Sequence, residues 1–124
     1  MPKIDASWVT SFVECLAVGS SSPDDIRNDV DAFLSPSYVQ NRHGVKSNYE
    51  DTILHLVQVR SAIVELKVEL IDLVVDETKG KFASRHVAYV KNKEGKESSV
   101  EVALFGSFDD EGKLTYVYEM SRQL

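Results

Sequence analysis

The chain holds little that could staple it, thread it through a membrane or spread it along a charged polymer. Cys15 is the single cysteine among 124 residues. It cannot pair within the chain, and a lone thiol suits a reducing compartment. Three prolines and six glycines are too few for a collagen-like or low-complexity protein. Lysine and arginine total 14 against 20 acidic residues, a formal charge of −6. Phosphate-backbone binding needs clustered cations that release counterions, so no nucleic-acid partner is expected. No apolar run approaches the ~20 residues that span a bilayer, so no membrane partner is expected either. Met1 to Trp8 lack the basic start and apolar stretch of a secretory signal. The expected setting is the cytoplasm.

What is present is ordinary globular composition, 43% hydrophobic and 27% charged, expected to fold as one domain over residues 1–124. Surface scaling gives such a chain about 6,700 Å² exposed when folded, enough burial for a core without staples. The first half carries helical spacing. Trp8, Val9, Phe12, Val13 and Leu16 recur at threes and fours within Ser7 to Gly19, with Cys15 at the edge of the stripe. Ser22-Pro23-Asp24-Asp25 opens a second helix, with a capping serine, proline at the first position and acids at the positive end of the dipole. Ile26, Val30, Phe33 and Leu34 form its apolar face, and Ser35-Pro36-Ser37 ends it. A third helix starts at Asn48 and runs toward Ser61, with Ile53, Leu56 and Val57 on one face.

From Val64 the period drops to two. Val64, Leu66, Val68 and Leu70 alternate with charged residues, and strand-like runs follow at Lys81 to Lys91, Ser98 to Phe108 and Leu114 to Ser121. The short connections end in Gly80, Gly95 and Gly112, the chemistry of turns between antiparallel neighbours. The expected fold is α+β: three N-terminal helices packed on a curved antiparallel meander of about four strands.

With this order of elements, the stretches Phe33 to Gln40, Ser84 to Val87, and Phe108 to Leu114 with Tyr118-Glu119 resemble the nuclear transport factor two superfamily. This is the cone-shaped, cystatin-like fold, and the chain is most similar to its SnoaL-like group of polyketide cyclase and ketosteroid isomerase relatives. The resemblance runs from Trp8 to Arg122. It implies a cone open at one end, an apolar lumen that takes a small apolar organic ligand, and a homodimer formed through the outer sheet face. Several strands here are apolar on both parities, such as Val102 and Leu104 against Ala103 and Phe105, and such a sheet needs cover on both sides.

Two residues are candidates for proton transfer. His86 shares strand parity with Phe82, Ser84, Ala88 and Val90; in such surroundings an imidazole serves as acid or base, or as a hydrogen-bonded core residue. Glu119 follows an aromatic residue in the last run, where SnoaL-like relatives often place an acid. A carboxyl in an apolar cavity has its charged form disfavoured and becomes a usable base or acid. Alternation groups Glu119 with Thr115, Val117 and Ser121 without telling which face looks inward, so a solvated edge carboxylate is the other reading. Arg60 lies on the apolar side of the third helix and must find a buried carboxylate, an anionic ligand group or a path to water. Tyr38, Gln40, Asn41 and His43 fall in an expected loop near the cone's mouth, and Gln40 suits orienting a carbonyl or hydroxyl. His55 falls off the main stripe and is expected at the surface. Ligand contacts are expected from Tyr38, Gln40, Arg60, Ser84, Phe105 and Tyr118.

No HxH, HExxH, Cys/His, GxGxxG or P-loop spacing occurs, so neither metal nor cofactor is expected. Two functions remain. One is an isomerase, cyclase or dehydratase that moves a proton next to a carbonyl; the other is a non-catalytic module that binds a ligand or a protein.

Overall fold

In the computed structural model, which describes residues 3–124, helix α1 spans Ala6–Ala17, with Asp5 capping it by accepting from Trp8 N at 2.9 Å. Helix α2 runs Pro23–Val30 with proline in its first turn, but Ser22 contributes no side-chain cap bond. The helix stops earlier than its apolar spacing suggests, and Leu34 already opens a strand. Helix α3, Tyr49–Ala62, starts at Asn48 in a capping box in which Asn48 and Asp51 each accept from the other's backbone N–H.

Among the described residues, six strands follow or interleave: β1 Leu34–Arg42, β2 Val45–Asn48, β3 Ile63–Asp76, β4 Lys81–Asn92, β5 Glu97–Phe108 and β6 Leu114–Gln123. They form one mixed sheet in the order β2-β1-β6-β5-β4-β3. The expected meander is therefore real for β3 to β6, but the count of about four is corrected to six. The segment expected as a loop, Tyr38 to His43, is instead a hairpin. Its two-residue tip, His43 (φ 52°) and Gly44 (φ 86°), has both residues in the left-handed region, the geometry that matches strand twist. β1 then lies parallel to β6, with Gln40 opposite Val117 and Arg42 opposite Glu119.

The long strands bend through irregularities. Pairing of β3 with β4 shifts between Ile63 and Glu65 and again between Leu70 and Asp72, which turns Val64 outward and passes the inner face from Leu70 to Leu73. The curl brings the helices over one side of the sheet. Phe12, Ile26, Val30, Leu34, Ile53 and Leu114 are among the buried residues between the layers. Trp8 stacks on Phe12 (5.5 Å) and meets Phe33 and Phe82 edge-on, pinning α1 to the sheet. The exposed area, 7,011 Å², is close to the ~6,700 Å² expected from size. No helix of the described residues is long and apolar enough to cross a membrane.

Candidate functional site

The bent sheet and helices α1 and α3 enclose a cavity of about 280 Å³. Strand parity decides its wall. Once β1 is a strand, Tyr38, Gln40 and Arg42 point to the same side. Across the parallel ladder, Val117, Glu119 and Ser121 face them. Leu104, Val102, His86 and Ala88 continue the wall on β5 and β4, and α1 and α3 close it with Phe12, Leu16, His55, Leu56 and Val59. The alternation that left the direction of Glu119 open is thus resolved inward.

The cavity has an aliphatic floor and a polar rim. Tyr38, 3% exposed, donates its hydroxyl to Gln40 Oε1 at 3.0 Å. That bond occupies the amide oxygen and leaves the Gln40 NH₂ to the cavity. Burial pushes the Tyr38 phenol well above its usual value, with the charge on Glu119 adding to the rise. Burial likewise raises the Glu119 carboxyl above the ordinary carboxylate range, while the positive charges of Arg42 and His43 pull it partly back. His86, 2% exposed, is pushed down by burial alone. Its Nδ1 finds no hydrogen-bond partner among the described residues, and neither does Ser84 Oγ.

One strand, β5, lies between Glu119 on β6 and His86 on β4, so their backbones stand at least two strand spacings, roughly 10 Å, apart.

Two cavity residues escaped the sequence reading. Arg42 sat in the supposed loop, although its spacing from Tyr38 and Gln40 is strand parity. His55 was expected at the surface, although Thr52, His55 and Val59 follow helical spacing along the inner face of α3. The Arg42 guanidinium bonds the His55 ring, and burial together with the Arg42 charge holds His55 below its usual value. His43 stands outside the cavity, its Nε2 accepting from Ser121 N at 3.1 Å and lying 2.9 Å from Ser121 Oγ. These bonds fasten the hairpin tip to β6.

Four expected ligand contacts lie off the cavity wall. Phe105 and Tyr118 pair with each other across β5 and β6 on the outer sheet face, and Phe105 is 58% exposed. Parity turns them away from the lumen for the same reason that it turns Leu104 and Glu119 in. Arg60, 5% exposed, is committed to structure. It donates to Ser20 O at 2.8 Å and to Cys15 O, and pairs with Asp29 at 2.9 Å, binding the α1–α2 loop to α3. Ser84 shares the inner face but lies buried beside the cavity rather than on its wall. Burial raises the Cys15 thiol, against a smaller downward pull from Arg60, so it is packed rather than activated. Among the described residues, no group of three or more His, Cys, Asp or Glu could hold a metal ion.

No protein-family model matches the chain, and no curated protein matches it. Solved structures do. PrhC from Penicillium brasilianum superposes with a TM-score of 0.72 at 16% identity, over 92% of this chain and 77% of that one. A SnoaL-like polyketide cyclase from Jannaschia sp. CCS1 gives 0.67 at 12% identity, over 91% and 81%. A nuclear transport factor two-like protein of unknown function from Exiguobacterium sp. 255-15 gives 0.66 at 13% identity, over 92% and 97%. The chain has the nuclear transport factor two-like fold, the cone that its sequence resembles.

Proposed function

We propose that this chain is a single-domain enzyme that moves a proton next to a carbonyl group of a small, largely apolar molecule. The observation that carries the reading is the placement of Glu119. It is a carboxyl raised by burial that faces a largely apolar cavity, whose wall also carries the Gln40 amide on the adjoining strand β1 and, on β4, the His86 ring held below its usual value by burial. Glu119 takes the proton from carbon. The Gln40 NH₂, its orientation fixed by Tyr38, donates to the oxygen on which negative charge develops, and His86 donates from across the cavity. Fixed donors aimed at developing charge in a dry site are the strongest catalytic term of this kind. Isomerisation, aldol-type cyclisation and dehydration all begin with that step, and the SnoaL-like polyketide cyclase among the fold neighbours supports this class. A cytoplasmic setting, where the lone thiol stays reduced, belongs to the same reading.

The test is hydrogen exchange at carbon. Small aryl and cyclic ketones in D₂O, followed by proton NMR, should lose their α-protons faster with the protein than with buffer. Glu119→Gln should remove about 10²–10⁴ of that acceleration, the usual contribution of a positioned base. No acceleration by the folded protein for any ketone that binds would favour the second reading, a non-catalytic ligand-binding module of the same fold.

The outer sheet face supports a homodimer under either reading. Val74, Ala83, Phe105 and Tyr118 stand side by side in one row across four strands, with Val74 at 69% and Phe105 at 58% exposure. An apolar row of that width is the sort of surface a second copy covers.

A further inference from the structure

Resting on the cavity reading above, we infer that the molecule bound there is an acid whose carboxylate is taken by Arg42. The chain has five arginines, and four of them face carboxylates: Arg27 pairs with Asp24 and Glu50, Arg60 with Asp29, Arg85 with Asp72 and Glu101, and Arg122 with Glu101. Arg42 forms no ion pair among the described residues, and it is the arginine on the cavity wall. In a chain with six more acids than bases, the free guanidinium is the one aimed at the ligand space.

Its protein partner sharpens the point. The partner is the imidazole of His55, and burial and the Arg42 charge both keep that ring neutral. A neutral imidazole offers a single lone pair, whereas a guanidinium has five donors. His55 therefore orients Arg42 without neutralising it and leaves most of the fork for a planar, two-oxygen acceptor. Glu119, opposite Arg42 on the neighbouring strand, is the other group at that end of the cavity. A ligand anchored by its carboxylate on Arg42 thus has the rest of its skeleton beside that base. The lumen sets the size of the rest. About 280 Å³ equals roughly nine water volumes at ~30 Å³ each, which suits a compact aromatic or branched monocarboxylate better than a polycyclic molecule.

Isothermal titration of benzoate and 3-phenylpropanoate against their primary amides tests the claim, with the amides matched in shape but uncharged. The carboxylates should bind at least tenfold more tightly than the amides. Arg42→Gln should bring that ratio to within twofold while amide binding persists. In the unmodified protein, the Arg42 Nε–H resonance should move on adding benzoate and stay in place on adding benzamide, an outcome that does not depend on the variant folding. Equal affinity for acid and amide, an undiminished preference in a folded R42Q, or an unmoved Arg42 resonance overturns the inference and leaves the cavity reading intact. Failure of both acids and both amides to bind overturns the cavity reading itself, and this inference with it.

Discussion

Arg42 and Glu119 are register partners on the parallel β1–β6 ladder, face the same cavity, and form no ion pair. The cation lowers the carboxyl, but less than burial raises it. A salt bridge would have held Glu119 ionised at lower pH; a guanidinium turned toward His55 leaves its carboxyl above the ordinary carboxylate range.

That balance predicts a pH profile. Exchange activity through Glu119 as base should rise with pH along a single ionisation lying above the ordinary ~4.3 of glutamate. Stability should run the other way. The folded protein holds the Glu119 proton more tightly than the unfolded chain, so this group costs nothing below the unfolded value and destabilises progressively as pH rises toward the folded one. Glu119→Gln cannot ionise, so its melting temperature relative to the parent should be higher at pH 8 than at pH 4. Thermal melts of both proteins at the two values check this, and a constant difference would mean that the carboxyl is solvated.

The cavity histidines give the opposite slope. His86 and His55 are both held below their usual value, while in the unfolded chain they titrate near ~6.5. As pH falls through 6.5 the unfolded state gains protons that the folded state refuses, and stability drops. His86 Nδ1 has no partner to lose among the described residues, so His86→Phe should fold and should flatten this acid loss. Urea midpoints at pH 7.5 and 5.5 measure it; an equal decline in parent and variant would count against a neutral, buried His86.

Arg60 predicts a purely structural effect. Arg60→Met keeps the stem but abandons Asp29 and the carbonyls of Cys15 and Ser20. The expected loss is about 2–3 kcal/mol, below the ~3–5 of a fully buried pair because Asp29 is half exposed. Gly19, beside the same guanidinium, has φ +136°, and a Cβ there would sit 2.9 Å from Arg60 Nη1, so Gly19→Ala should also destabilise, by about 1–3 kcal/mol. Denaturant unfolding reads both. Neither change should alter ligand affinity, because neither residue lines the cavity.

The helices and the four long strands were legible because each buries one face, and burial writes a period into sequence. Three and four mark α1, and two marks β3 to β6. β1 carries no such mark. Its inward side chains, Tyr38, Gln40 and Arg42, are polar because they line a cavity rather than a core, and Pro36 reads as a breaker. The same cause hides His55, whose polar ring reads as a surface residue. Parity could group Glu119 with Val117 but could not give the pair a direction, since direction depends on β1, which parity had not revealed. The misplacement of Phe105 and Tyr118 shares that origin: a sheet apolar on both faces gives two equally good inner sides until the helices choose one.

Those outward aromatics carry the last prediction. On β5 and β6, Phe105 lies directly opposite Tyr118, with Ala83 and Val74 extending the row and Met120, 46% exposed, two residues beyond Tyr118. Burying one such aromatic against a second subunit is worth about 1.5–3 kcal/mol, and a two-fold interface counts it twice. A carboxylate at the same position is repelled by its own symmetry mate and loses its water. Phe105→Asp should therefore convert a dimer to a monomer in size-exclusion chromatography with light scattering at micromolar concentration, while the circular dichroism spectrum and ligand affinity are unchanged. The parent eluting as a monomer would refute the homodimer, and a dimer that persists in the variant would move the interface to another face. Retained ligand affinity in the monomeric variant would show that the outer row serves assembly and the inner row serves the ligand.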